Sequence, residues 1–334
     1  MDIDLPLLWA CIIAFGVLMY VVLDGFDLGI GLLFPLLPER KARDTMMNSV
    51  APVWDGNETW LVLGGAALFG AFPLAYAVIL PALYLPLTLM LVGLIFRGVA
   101  FEFRFKASDR GRRWWDLAFA GGSGLATLMQ GVALGAFIQG FEVEGRAYAG
   151  RPFDWLTPFA LFVGVALCLG YALLGAAWLV MKTEGELQQR AWRLLWPLTF
   201  LVLAAVGGVS LWTPFLNPEI EARWFSWPNL LYLSPVPILV GVIAFFLLRA
   251  EAQHRERQPF LLALALFVLA YVGLGISLWP YIIPLEIDIW AAAAPAESQG
   301  FLLIGVAPMV LIILAYTAYS YWVFRGKVAG EGYH

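Results

Sequence analysis

Apolar runs longer than 18 residues recur from one end of this 334-residue sequence to the other, and they constrain the fold more than any other feature. A helix needs about 20 apolar residues to cross the hydrocarbon of a bilayer. The runs therefore read as membrane-spanning helices, with no stretch of the weak ten-residue alternation that marks a membrane β-barrel. Composition agrees: 62% of residues are apolar and 13% are charged, against about 45–50% and about 25% in soluble domains. A soluble globular enzyme is excluded. The fold class expected is all-α, a polytopic membrane protein of about nine helices in bundles, forming a single integral membrane domain over residues 1–334. The spans fall near 6–34, 52–72, 75–103, 116–140, 155–182, 192–213, 230–249, 259–283 and 300–324.

Nine spans put the termini on opposite sides, and Lys and Arg decide which is which. Loops that follow odd-numbered spans carry 16 basic residues, the opposite loops carry Arg146, Arg151 and Arg223, and Arg97 lies inside the third span. The N-terminus is expected outside (periplasmic) and the C-terminus in the cytoplasm. Met1-Asp2-Ile3-Asp4 is acidic, unlike the start of a signal peptide, so the first run is expected to stay as a helix. A net charge of −4 and the lack of a basic tract give no reason to expect nucleic acid. Cys11 and Cys168 read as small core residues, and most of the 15 Trp as interfacial anchors.

Charge inside the spans is confined to three places. The first span contains Leu23-Asp24-Gly25-Phe26-Asp27-Leu28-Gly29-Ile30-Gly31, the second opens on Trp54-Asp55-Gly56-Asn57-Glu58-Thr59-Trp60, and the third holds Arg97. An ionised group at mid-bilayer costs about 2.5–3.5 kcal/mol on insertion scales, so such residues face protein, water or a counter-charge. Asp24 and Asp27 are three apart and share a helix face. The glycines at 25, 29 and 31 leave a small-residue surface for close helix approach. Span direction brings Asp27, Asp55, Glu58 and Arg97 to a similar depth on the inner side. Burial raises a carboxylate pKa and a neighbouring Arg lowers it, so such a cluster can hold a proton near working pH. Two readings of these residues stand side by side: a path for protons, or structural pairing in which Asp24 or Asp27 neutralises Arg97 and Asp55 and Asn57 cap a helix. Glu102 with Arg104, and Glu184 with Glu186, read as solvated or interfacial. His254 sits in Glu251–Arg257, read as an exposed loop, and Glu142, Glu144, Glu219 and Glu221 as outer-loop residues.

The histidines are His254 and His334, neither in a span, so bis-His haem ligation within the membrane is excluded; Met or Cys ligation stays open, though the eight Met show no arrangement that suggests it. There is no phosphate-binding loop and no dinucleotide fingerprint. The chain is expected to bind no cofactor and no metal alone.

Asp24-Gly25-Phe26-Asp27-Leu28-Gly29, Trp54-Asp55-Gly56-Asn57 and Phe96-Arg97-Gly98-Val99-Ala100-Phe101-Glu102-Phe103-Arg104 resemble the signature segments of subunit II of bacterial cytochrome bd-type quinol oxidases. The likeness extends to the Pro-kinked eighth span and to a last helix rich in Tyr and Trp (Tyr316, Tyr319, Tyr321, Trp322). Short loops and overall length are most similar to the cyanide-insensitive branch. The resemblance implies a bacterial inner-membrane protein that carries no haem and pairs with a haem-bearing subunit I. That partner would hold two b-type haems, a d-type haem or b-type substitute, and the quinol site. The complex would oxidise ubiquinol or another quinol and reduce oxygen to water. The family carries cytoplasmic protons past acids of subunit II. The matching positions are Asp27 and Asp55, with Asp24, Arg97 and Glu58 as supporting charges. Some members hold a structural quinone, and a small single-span accessory subunit is a further partner that the resemblance allows. Two departures stand out: Glu58 replaces an amide found in relatives, and Ala291–Ala294 follow Trp290 where some relatives have an acid. A stand-alone proton-coupled transporter and a purely structural scaffold of a haem subunit are the alternatives; a transporter would show broken midplane helices and inverted repeats.

Overall fold

Each long apolar run closes its own backbone hydrogen bonds as a helix, as lipid requires. The computed structural model describes residues 3–328, so Met1, Asp2 and His334 lie outside the described residues. The helices are α1 (Leu5–Leu33), α2 (Arg40–Val50), α3 (Trp54–Ala71), α4 (Pro73–Ala82), α5 (Tyr84–Phe103), α6 (Asp109–Gln139), α7 (Pro158–Lys182), α8 (Gly185–Leu216), α9 (Pro218–Phe225), α10 (Asn229–Leu233), α11 (Pro235–Ala252), α12 (Gln258–Leu278) and α13 (Ala296–Val323). Two short antiparallel hairpins, Val143–Glu144 with Ala147–Tyr148 and Tyr281–Ile283 with Ile287–Asp288, close loops between long helices. The chain is an all-α polytopic membrane protein. Side-chain caps start several helices: Asp4 accepts from Leu7 N at 3.0 Å, Ser108 from Gly111 N at 3.3 Å, and Thr157 from Ala160 N at 3.0 Å.

Among the described residues, eight helices are long and apolar enough to span a bilayer, against the nine expected. The segment expected as the second span is α3, 18 residues or about 27 Å long. Its first turn carries Asp55, Asn57 and Glu58, which lower its hydropathy below that of the others. The expected third span is interrupted at Leu83, between α4 with its internal Pro81 and α5. Helix α2, formed by the basic stretch after α1, was expected as loop.

Helix α1 lies at the centre. Every residue from Asp24 to Gly31 is buried, enclosed by α3, α6, α7, α12 and α13. Backbones meet where glycine permits it. A Cβ on Gly29 would lie 1.9 Å from the Tyr171 carbonyl oxygen of α7, and one on Gly122 of α6 would lie 2.5 Å from the Gly93 carbonyl oxygen of α5. The first contact seats the acidic stretch of α1 against α7. The second fixes α5 one turn before Arg97.

Outward faces are as apolar as the core, and this reverses some expectations. Cys11 is exposed on α1 and Cys168 is half-buried; both are free. Lipid accepts a small apolar residue as readily as the interior does, so hydropathy does not separate the two. Trp9 and Trp60 are fully buried rather than interfacial, and Trp9 Nε1 donates to the Gln299 carbonyl at 3.2 Å. Glu251 is buried in the last turn of α11, not in an exposed loop, because the helix runs on to Ala252. His254 is exposed and packs beside Trp192.

Candidate functional site

Asp24 and Asp27 occupy one face of α1 near its C-terminal end, and both side chains are wholly buried. Their partners come from different helices. Arg97 of α5, also fully buried, donates from Nη1 to Asp24 Oδ1 at 2.8 Å. Its Nη2 lies 3.3 Å from Glu58 Oε2 of α3, whose side chain is 23% exposed. The guanidinium also sits 5.9 Å from the centre of the Trp54 ring, which stacks on Phe101 at 4.8 Å. One cation is thus held by one buried and one part-exposed carboxylate, and by an aromatic face.

Asp27 has a neutral partner. Asn57, in the first turn of α3, donates from Nδ2 to Asp27 Oδ2 at 2.7 Å and to the Leu23 carbonyl at 3.2 Å. Tyr321 of α13 donates its hydroxyl to Asn57 Oδ1 at 3.0 Å. Asp27 Oδ1 and Arg97 Nε are buried with no protein hydrogen-bond partner.

The structure therefore brings together four of the five expected residues: Asp24, Asp27, Glu58 and Arg97. Asp55 stands apart. It is exposed in the first turn of α3, one turn before Glu58, and makes no ion pair among the described residues. Of the two acids able to neutralise Arg97, Asp24 does so at hydrogen-bond distance. From Asp55 through Glu58 to Arg97 and Asp24, exposure falls stepwise from surface to core.

A second cluster was missed by the sequence reading. Arg104, expected to be solvated, is fully buried. Its Nε reaches Asp116 Oδ1 at 2.5 Å and its Nη1 reaches Asp44 Oδ1 at 2.6 Å, while Arg43 Nη1 reaches Asp116 Oδ2 at 2.7 Å. The Arg43 and Arg104 guanidiniums lie 5.1 and 5.4 Å from the Phe34 ring. These bonds tie α2 to the facing ends of α5 and α6, and so fix the approach of the chain into α3. Its one sequence signal was the excess of acids and bases just beyond spans one and three. Glu102 is exposed, 3.9 Å from Lys106. Glu142, Glu144, Glu219 and Glu221 are exposed.

Comparison with known proteins fixes the family. The sequence profile of the family described as cytochrome bd terminal oxidase subunit II matches residues 5–324. The chain belongs to that family. It is 30% identical over 365 aligned residues to subunit 2 of cytochrome bd-I ubiquinol oxidase from Escherichia coli (strain K12), covering 98% of this chain and 96% of the relative. It is 26% identical to subunit 2 of the cytochrome bd ubiquinol oxidase of Bacillus subtilis (strain 168), with 96% of each covered. Its fold is similar to a chain in the bd oxidase structure from Geobacillus thermodenitrificans, with a TM-score of 0.76, 17% identity, and 97% of this chain and 100% of that one covered. As a member of the bd oxidase subunit II family, it is an integral protein of the bacterial inner membrane and part of an oxidoreductase complex.

His254 is exposed in a loop beside Trp192. Among the described residues no three His, Cys, Asp or Glu side chains group as metal ligands.

Proposed function

We propose that this chain is the haem-free subunit of a quinol oxidase that reduces oxygen to water, and that its buried carboxylates line a cytoplasmic proton-uptake path beside a haem-bearing subunit I. The observation that carries the path is the graded set of acids: Asp55 exposed, Glu58 part-exposed, Asp24 and Asp27 fully buried. Relatives named ubiquinol oxidase subunit 2 support the complex, with ubiquinol as the reductant. When bound in the partner, haem would pass on electrons taken from quinol and supply the oxygen chemistry; the residues here hold and move protons.

The two acids of α1 divide the work. Asp24 is engaged by Arg97, which fits a structural counter-charge that fixes helix register. Asp27 faces only a neutral amide at hydrogen-bond distance, so it can change charge without breaking an ion pair. Glu58 and Arg97 set the local field and link Asp55 to the interior. The strong excess of Lys and Arg on loops after odd-numbered spans supports a cytoplasmic position for this cluster.

The test uses the assembled complex. Asp27→Asn and Asp55→Asn are expected to slow quinol-driven oxygen consumption by roughly tenfold or more while haem spectra stay normal. Full turnover in both variants would overturn the proton path. Loss of partner haem with unchanged turnover per haem would indicate a scaffold instead.

A further inference from the structure

The last helix is rich in hydroxyl-bearing residues where it passes the acidic cluster, and the path just described does not use them. Helix α13 is exposed over most of its length, and of its residues only Gln299 is buried. Gln299 pins the far end, donating from Nε2 to the Ala71 carbonyl at 3.2 Å. Near the acids, α13 borders a crevice against the start of α3, lined among others by Gly56, Asn57, Tyr316, Thr317, Ser320 and Tyr321. Four of these six bear hydroxyls. Asn57, which lines the crevice, also donates through Nδ2 to Asp27.

The Tyr321 ring packs edge-on against Phe26 and Trp178, with ring centres 6.4 Å away in each case. Held this way, its hydroxyl meets Asn57 Oδ1 at 3.0 Å. Asn57 has two distinct ends, and the Leu23 carbonyl, which can only accept, together with the Tyr321 hydroxyl holds Nδ2 toward Asp27. With Tyr321 donating to Oδ1, the Nδ2 group turns to Asp27 Oδ2 and the Leu23 carbonyl, the orientation an ionised Asp27 requires. A protonated Asp27 would itself donate, and the amide would then have to present its oxygen. A phenolic oxygen both donates and accepts, so Tyr321 can satisfy Asn57 in either orientation.

We propose that Tyr321 is a positioning residue for proton uptake. Through its hydroxyl it holds the Asn57 amide and lets it follow the charge state of Asp27, and the adjoining crevice is an inlet by which water reaches that pair. A proton from the cytoplasm is relayed through crevice water to the Asp27 carboxylate, which becomes the neutral acid, and the water is left unchanged. This rests on the reading of Asp27 as a proton-path residue.

The test is made on the purified complex with Tyr321→Phe, which keeps the ring and its packing. Expected is a fall of roughly threefold to tenfold in kcat with KM for quinol and the haem spectrum unchanged. The infrared carbonyl band of protonated Asp27, identified by its loss in Asp27→Asn, is expected to shift. Ser320→Leu, which fills the crevice, is expected to lower kcat in the same way. Wild-type kcat and an unshifted band in Tyr321→Phe would overturn the proposal, as would a loss of haem or assembly with the band unmoved. If Asp27→Asn slows turnover and Tyr321→Phe does not, the inference alone falls. If Asp27→Asn has no effect, the proton path falls and takes the inference with it.

Discussion

Asp24 and Arg97, 73 positions apart, form a 2.8 Å ion pair with neither side chain reaching the surface. Removing one member leaves the other charged and buried, which costs about 3–5 kcal/mol, whereas replacing both can be nearly neutral. Arg97→Leu and Asp24→Leu are each expected to cut accumulation of the assembled complex and lower its denaturation midpoint in mild detergent. The double variant is expected to lose far less than the sum of the two. Additive losses would mean that the pair does not act as a unit.

Close packing of α1 on α7 gives a second expectation. Gly29→Ala places a methyl group 1.9 Å from the Tyr171 carbonyl oxygen, a backbone atom that cannot rotate away. Overpacking of this kind costs about 1–3 kcal/mol, and the shift of α1 moves Asp27 relative to Asn57. Gly121→Ala is the contrasting case, because a Cβ there meets nothing within 4 Å. Removing a helix-interior glycine is worth about 0.5–1 kcal/mol. Thermal denaturation should place Gly29→Ala below the parent and Gly121→Ala at or above it.

The sequence disclosed the elements of the site more fully than its pairings. Asp24, Asp27, Glu58 and Arg97 stood out because charge in an apolar run is costly, and helix direction put them at one depth. That Arg97 takes Asp24 rather than Asp27 depends on the rotation of α5 relative to α1, which no local pattern reports. Arg104 read as solvated because its partners, Asp44 and Asp116, lie 60 and 12 positions away. Asp55 and Glu58 belong to one polar turn, yet Asp55 is exposed and Glu58 faces Arg97, a difference of helix face. Cys11 shows the general difficulty of a membrane chain, where both core and perimeter are apolar.

Outside the spans, the tail after α13 is held by charge. Lys327 Nζ lies 2.9 Å from Glu256 Oε2, Gln188 Nε2 donates to Glu256 Oε1 at 2.9 Å, and Val328 N donates to the Lys182 carbonyl at 2.8 Å. Lys182 Nζ donates to the Phe324 and Gly326 carbonyls. The Lys327 and Gln188 hydrogen bonds hold the Glu256 carboxyl below the ordinary glutamate value of 4.5. A pKa depressed in the folded state means a contact fully present above that ordinary value and lost as pH falls through the lower folded one. A spin label at Val328→Cys, in a background lacking Cys11 and Cys168, is expected to report an unchanged tail from pH 8 to 5 and release in more acid solution. With Glu256→Gln the acid transition should weaken to what the remaining Lys327–Glu184 pair at 3.8 Å contributes. A transition near neutrality would assign the tail to some other group.

Glu251 and Thr199 form an isolated buried contact between α11 and α8, with Thr199 Oγ1 donating to Glu251 Oε1 at 2.5 Å and both side chains buried. Each residue matters because of the other. Thr199→Val removes the donor and leaves the Glu251 carboxyl buried without a partner, a loss of about 1–3 kcal/mol. Glu251→Gln keeps an acceptor in place and is expected to be mild. Thr199→Val with Glu251→Leu replaces both polar groups by apolar ones, which the same asymmetry makes nearly neutral. The denaturation midpoints should therefore rank Thr199→Val lowest, with the double variant and Glu251→Gln both close to the parent. A double variant as unstable as Thr199→Val would show that Glu251 has a role beyond this hydrogen bond. Oxygen consumption by the Glu251→Gln complex would then show whether that role lies in turnover or in helix packing.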